Sequence, residues 1–247
     1  KTLDLGGAKI GPSGAKTLAS LKLLSEVENL LLPGNKIKYR GIKALAKSPH
    51  SSNLKHLDLW GNMIGDIGLK ILSESPYIKN LEVLKLWKNE IGDESLELII
   101  QSSNFRKVKT LMLSDNLVGP IGAGYLANPK TFPMLETLNL FRNEIGDNGA
   151  IALANSKPFI NLKSLFIGEN NISDVGAIAI IKSNSFIVFT ISIIIMIGSV
   201  NSVNSSLNQT PFLFNGVSKE FSYFAKDSIN LLDKIDKDAR IISMDAP

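Results

Sequence analysis

One period constrains this chain more than any local motif. Val27, Leu54, Leu81, Val108, Leu135 and Leu162 are each 27 residues apart, and Leu3, Leu5 and Ile10 fit the same frame in a partial unit that precedes them. Self-similarity at such a period means that each unit packs only on its neighbours, so chain length does not count domains. Seven units run to about Asn184, the first incomplete. Because Lys1 falls inside a unit, the chain is expected to be a fragment or processed product that lacks its N-terminal cap.

Numbering each unit from Val27 and its equivalents, the fourth and sixth positions are Leu3/Leu5, Leu30/Leu32, Leu57/Leu59, Leu84/Leu86, Leu111/Leu113, Leu138/Leu140 and Leu165/Ile167. Apolar residues two apart predict a strand, too short to stand alone and therefore paired with the strand of the next unit. The ninth position is Asn35, Asn62, Asn89, Asn116, Asn143 and Asn170, with Ala8 in the first unit. A buried turn has to satisfy its backbone groups, and an Asn amide both donates and accepts. These side chains are expected to bond adjacent turns and not to form a catalytic row.

An apolar residue follows (Ile10, Ile37, Ile64, Ile91, Val118, Ile145, Ile172), then Gly in five of the seven units. Asp66, Asp93, Asp147 and Asp174 come next, with Pro12 and Pro120 in the same slot elsewhere. Asp before an apolar run predicts a helix N-cap, and Pro is tolerated at a helix start. Helices are expected to begin around Ala15, Ile42, Leu69, Leu96, Ala123, Ala150 and Ala177, with a second apolar layer three residues on. Each unit thus reads as strand, turn, helix and return loop.

The pattern LxxLxLxxNxI followed by GDxGAxxLA resembles the ribonuclease-inhibitor type of leucine-rich repeat. The resemblance implies an α/β leucine-rich-repeat solenoid: a curved parallel sheet on the concave side and helices on the convex side. Proteins of that type include ribonuclease inhibitors, Ran GTPase-activating proteins and the sensing regions of innate immune receptors, and most bind other proteins through the concave face. No catalytic residue transfers from them to a position here.

Function is expected in the positions that vary. Between the two leucines lie Asp4, Leu31, Asp58, Lys85, Met112, Asn139 and Phe166; after the second lie Gly6, Pro33, Trp60, Trp87, Ser114, Phe141 and Gly168. These flank the core leucines and point away from them. Trp60 and Trp87 are the two tryptophans of the chain and hold one slot in adjacent units. They either stack on each other to shield the sheet or form a binding patch that Phe141, Met112 and Phe166 extend. Exposed aromatics anchor interfaces, and binding is the favoured reading. Polar neighbours would be His56, Asp58, Lys85, Lys88, Asn139, Arg142 and Glu169, a mixed-charge set that suits a protein better than a phosphate backbone.

The rest of the composition narrows the alternatives. The chain is 44% hydrophobic with a net charge of +4, enough to fold and too dispersed for a nucleic-acid partner. It has no Cys, and a cytoplasmic setting is favoured for the repeats, although absence of Cys does not fix a compartment. Gly11–Lys16, GPSGAK, lacks the spacing of a phosphate loop and falls in the ordinary helix-start slot. His50 and His56 have no metal-ligand spacing around them and are expected to be solvated; Asp233, Asp236 and Asp238 lack the Gly and closing Glu of a calcium loop. No enzyme activity, cofactor or metal is expected. A protein-interaction scaffold is the first expectation; a GTPase-activating regulator and a sensing or structural module of a larger receptor or effector are the alternatives.

The frame fails after Asn184, dividing the chain into a repeat domain, 1–184, and an atypical segment, 185–247. The latter comprises a charge-free apolar run at 186–200, an Asn/Ser-rich linker at 201–210 and a helix expected at 217–238. The run reads in three ways. Val188, Ile191 and Ile193 imitate the strand motif one residue early, as an eighth strand would. Fifteen residues make a short membrane span. Lys182 followed by an apolar core and small residues also resembles a signal peptide, which at this position would mean a frameshifted or fused tail.

Overall fold

The computed structural model describes residues 1–128, 132–155, 161–183 and 192–194. Its strands form one parallel sheet in chain order: β1 (Thr2–Asp4), β2 (Asn29–Leu31), β3 (His56–Asp58), β4 (Val83–Lys85), β5 (Thr110–Met112), β6 (Thr137–Asn139), β7 (Ser164–Phe166) and β8 (Ser192–Ile194). From β1 to β7 each central leucine pairs with the leucine 27 residues on, Leu30 with Leu57 and Leu57 with Leu84. The last pair breaks the frame: Leu165 pairs with Ile193, not with residue 192. Ile193 therefore aligns with the fourth position of its unit, where the motif placed it at the sixth. The Asn/Ser-rich segment, the helix expected at 217–238 and all of the apolar run except 192–194 lie outside the described residues.

The helices are α1 (Gly11–Ser20), α2 (Lys38–Lys47), α3 (Gly65–Ser73), α4 (Asp93–Ile99), α5 (Pro120–Leu126), α6 (Gly146–Ala154) and α7 (Asp174–Lys182), and each packs on the next. A helix with its side chains is about 10 Å across, while neighbouring strands sit about 4.8 Å apart. One of each per unit makes the helical side the longer arc, so the sheet lines the concave side. None of the described helices is long and apolar enough to cross a membrane.

The core runs between the two layers. Leu30, Leu57, Leu84, Leu138 and Leu165 are fully buried, as are their sixth-position neighbours Leu32, Leu59, Leu86 and Leu140. Helices contribute Ile42, Leu45, Leu72, Leu96, Ala123 and Ala150. The return loops close the third side, where the Phe105 and Phe132 rings stack at 6.0 Å.

Two hydrogen-bonded ladders tie the units together. Each ninth-position Asn donates its Nδ2 to the sixth-position carbonyl of the unit before, as in Asn62 to Leu32 (2.8 Å) and Asn89 to Leu59 (2.9 Å). Its Oδ1 accepts from that unit's turn amides, for example Asn62 N and Ile64 N onto Asn89. The amides bond the backbone of adjacent turns, as expected of a buried Asn row. The second ladder was not anticipated: after the helix, Ser48, Ser75 and Ser102 donate to the carbonyls of Ala19, Ala46 and Ser73 in the unit before.

The Asp row corrects the capping expectation. Helices begin earlier than the apolar run, so Asp66, Asp93, Asp147 and Asp174 lie inside the first turn and not at the N-cap. The carboxylates of the first three face the following unit. Asp66 accepts from Gly92 N (2.8 Å) and Asp93 from Gly119 N (2.7 Å). Asp147 accepts from Ser173 N, Ser173 Oγ and Gly176 N. Asp66, Asp93 and Asp147 each cap the helix of the next unit because the array sets that helix's free amides beside them.

The backbone responds to this bond. Where the preceding unit supplies an Asp, the N-cap is extended: Gly92 (φ −117°), Gly119 (φ −95°) and Ser173 (φ −89°). Where it supplies Pro12, Tyr39 or Pro120, the same slot turns left-handed, at Lys38 (φ 57°), Gly65 (φ 60°) and Gly146 (φ 58°). The Ser173 hydroxyl, then the amides of Ser173 and Gly176, hold Asp147 below the ordinary aspartate range. A depressed folded pKa contributes stability above the unfolded pKa, about 3.9, and loses it as pH falls through the lower folded value. Asp147→Asn is expected to flatten the fall of melting temperature below about pH 4. Thermal melts of both proteins across pH 2–7 would measure this, and parallel acid limbs would refute it.

Candidate protein-binding face

Residues that flank the core leucines emerge on the side of the sheet that carries no helix. Strands β2 to β7 each bury their central leucine between two half-buried neighbours. All twelve residues singled out for binding lie along this face or the rim where the strands leave it.

Trp60 and Trp87 are 47% and 36% exposed, in matching places on adjacent units. Their backbones are in step, since Gly34 N donates to Trp60 O (2.7 Å) and Gly61 N to Trp87 O (2.8 Å). Among the described residues the stacked ring pair is Phe105 with Phe132, so the indoles do not shield one another as a stack. The aromatic row is discontinuous. Ser114 separates Trp87 from Phe141, and the Arg142 guanidinium covers the Phe141 ring at 5.2 Å. Met112 and Phe166 are half-buried in β5 and β7.

Several polar members also have structural work. Asp58 accepts from Trp60 N (3.1 Å) and lies 3.4 Å from Lys85 Nζ on the next strand. Asn139 accepts from Phe141 N (2.9 Å) and from Ser114 Oγ (2.7 Å), fixing the bend where β6 ends. These short side chains turn the chain off the strand and orient the aromatic two residues later.

His56 is not solvated as expected, whereas His50 is half-buried. His50 Nδ1 lies 2.7 Å from Ser25 Oγ. His56 is half-buried on β3, and its Nε2 is shut from solvent without a hydrogen-bond partner. Burial, reinforced by the Lys85 ammonium and opposed by Asp58, lowers its pKa and keeps the ring neutral.

A family model described as Leucine Rich repeat matches residues 1–19, 50–73, 77–99, 133–154 and 160–180. The matched segments lie on successive strand–helix units of one parallel sheet. The described repeats form a leucine-rich-repeat solenoid. No curated protein matches the chain.

Column-by-column reading of the leucine-rich repeats missed their charge order. The second position of the units is Lys1, Glu28, Lys55, Glu82, Lys109, Glu136 and Lys163, with the sign alternating throughout. Lys55 pairs with Glu28 (2.9 Å), Lys109 with Glu82 (2.8 Å) and Lys163 with Glu136 (2.7 Å). This ladder edges the rim where strands begin. On the opposite rim the eighth position is left-handed in every unit: Gly7, Gly34 and Gly61 first, then Lys88, Asp115, Arg142 and Glu169. Arg142 bridges Asp115 (3.2 Å) and Glu169 (2.7 Å). The signal for both rows is in the sequence, but it repeats every second unit.

Proposed function

We propose that the chain is a protein-recognition scaffold of the ribonuclease-inhibitor type that engages a protein partner across the concave face of its sheet. Leucine-rich repeats are generally protein-interaction modules. The observation that carries the reading is the pair Trp60 and Trp87, large rings left 47% and 36% exposed on the face without helices. A tryptophan at the centre of an interface typically accounts for 2 kcal/mol or more of binding. The ion pairs along both rims leave a face of balanced charge, which favours a protein over a polyanion. The helix in each unit and the Asn ladder support the type.

The test is affinity capture from native extract with the unmodified chain and with the Trp60→Ala, Trp87→Ala double variant. Loss of two anchors is expected to weaken the captured partner by about 4 kcal/mol, on the order of a thousandfold, with an unchanged circular-dichroism spectrum. Equal capture by a folded double variant would remove the proposal.

A further inference from the structure

The trailing rim carries a trough of 470 Å³ across four units, from Gly34 to Leu117. Its floor is bare backbone. Gly34 and Gly61 hold the left-handed eighth position, and a Cβ built on Gly61 would lie 3.9 Å from the Gly34 Cα. Trp60, Met63 and Leu117 supply apolar walls and are 47%, 45% and 56% exposed. Lys36, Lys88, Glu90 and Asp115 supply charge. The four charges are not equivalent. Asp115 is already paired with Arg142, whereas neither Lys36, Lys88 nor Glu90 has an ion pair among the described residues.

Along this rim the signs run Lys88, Asp115, Arg142, Glu169, and the series stops where glycine replaces the next side chain. Alternation would put an anion beside Lys88, over Gly61. We propose that this trough seats an extended segment of a partner protein that places a carboxylate at Lys88 and a bulky apolar side chain between Trp60 and Met63. The inference rests on the protein-recognition reading and names the partner's chemistry. Three strand spacings of about 4.8 Å give a length of about 14 Å, room for about four extended residues. Glu90 and Asp115 on the walls repel a phosphate chain, while a peptide can offer both signs.

The test is selection of a phage-displayed random heptapeptide library on the full chain, with affinities read by fluorescence polarisation. Enriched peptides are expected to carry Asp or Glu beside an aromatic or large aliphatic residue. Lys88→Glu should weaken them at least tenfold and favour the same peptides with the acid changed to Lys. Gly61→Asn fills the floor with a residue that tolerates a left-handed backbone, and should also weaken them. No enrichment, a basic or uncharged consensus, or affinities unmoved by both variants would overturn the proposal. If the double Trp variant loses its captured partner while Lys88→Glu and Gly61→Asn retain it, the trough assignment fails and the concave-face reading stands. If Lys88→Glu reverses peptide preference while Trp87→Ala, which leaves the trough wall Trp60 in place, keeps its captured partner, the trough stands and the wider face falls.

Discussion

Asn89→Ala is expected to remove about 4 kcal/mol of folding stability, with each orphaned buried group costing about 1–3 kcal/mol. The side chain is fully buried and serves four backbone groups: it donates to Leu59 O and Trp87 O and accepts from Asn62 N and Ile64 N. Trp87 O keeps Gly61 N as a partner, but the other three lose the bond the ladder gave them. Domains of ordinary size are stable by about 5–15 kcal/mol, so urea unfolding should show a large drop in midpoint. Asn89→Asp separates hydrogen bonding from shape. It keeps an acceptor but buries a charge, which raises its folded pKa, so its stability should recover as pH falls and be lost as pH rises through that value. A shift below 1 kcal/mol for Asn89→Ala would mean that water replaces the amide and that the ladder is not what holds the turns.

Leu84→Ala is the second large effect, at about 3 kcal/mol for a leucine removed from a packed interior. Leu84 is fully buried between the leucines of β3 and β5. Leu3 occupies the same position at the edge of the described sheet and is only half-buried, so Leu3→Ala should cost about 1 kcal/mol or less. The two also differ in kind. Stability in a one-dimensional array is a sum over units and their interfaces, so a weak unit in the middle uncouples the two sides. Leu84→Ala is expected to lower the urea m value or split the transition, and Leu3→Ala to leave it single. Identical costs at both positions would mean that the array unfolds as one block.

What could be read from the chain was what recurs every 27 residues. Leu57 and Asn62 state their roles because six other units repeat the leucine and five the asparagine, and a buried amide in a turn has few other uses. Asp93 was assigned to the wrong helix for a physical reason: capping rules consider amides two or three residues ahead, and the amide it binds belongs to Gly119. His56 was misjudged because its in-register strand neighbours, Asn29 and Val83, come from other units. The slot shared by Trp60 and Trp87 was legible, but whether the rings stacked was not, since that depends on rotamers. The trough was invisible because its floor is bare backbone, where Gly34 and Gly61 bring no side chain to read.

The alternating charges on the leading rim give the array a parity. Glu28 and Glu82 each have a lysine as in-register neighbour because one unit lies between them. Excising one unit would set Glu28 against Glu82, and duplicating one would set a charge against its own copy. Excising two would place Glu28 beside Lys109 and restore the order. Lengthening or shortening the array in steps of two keeps every charge beside its opposite, so along this rim the repeating unit is the pair of repeats rather than the single repeat that the leucines count.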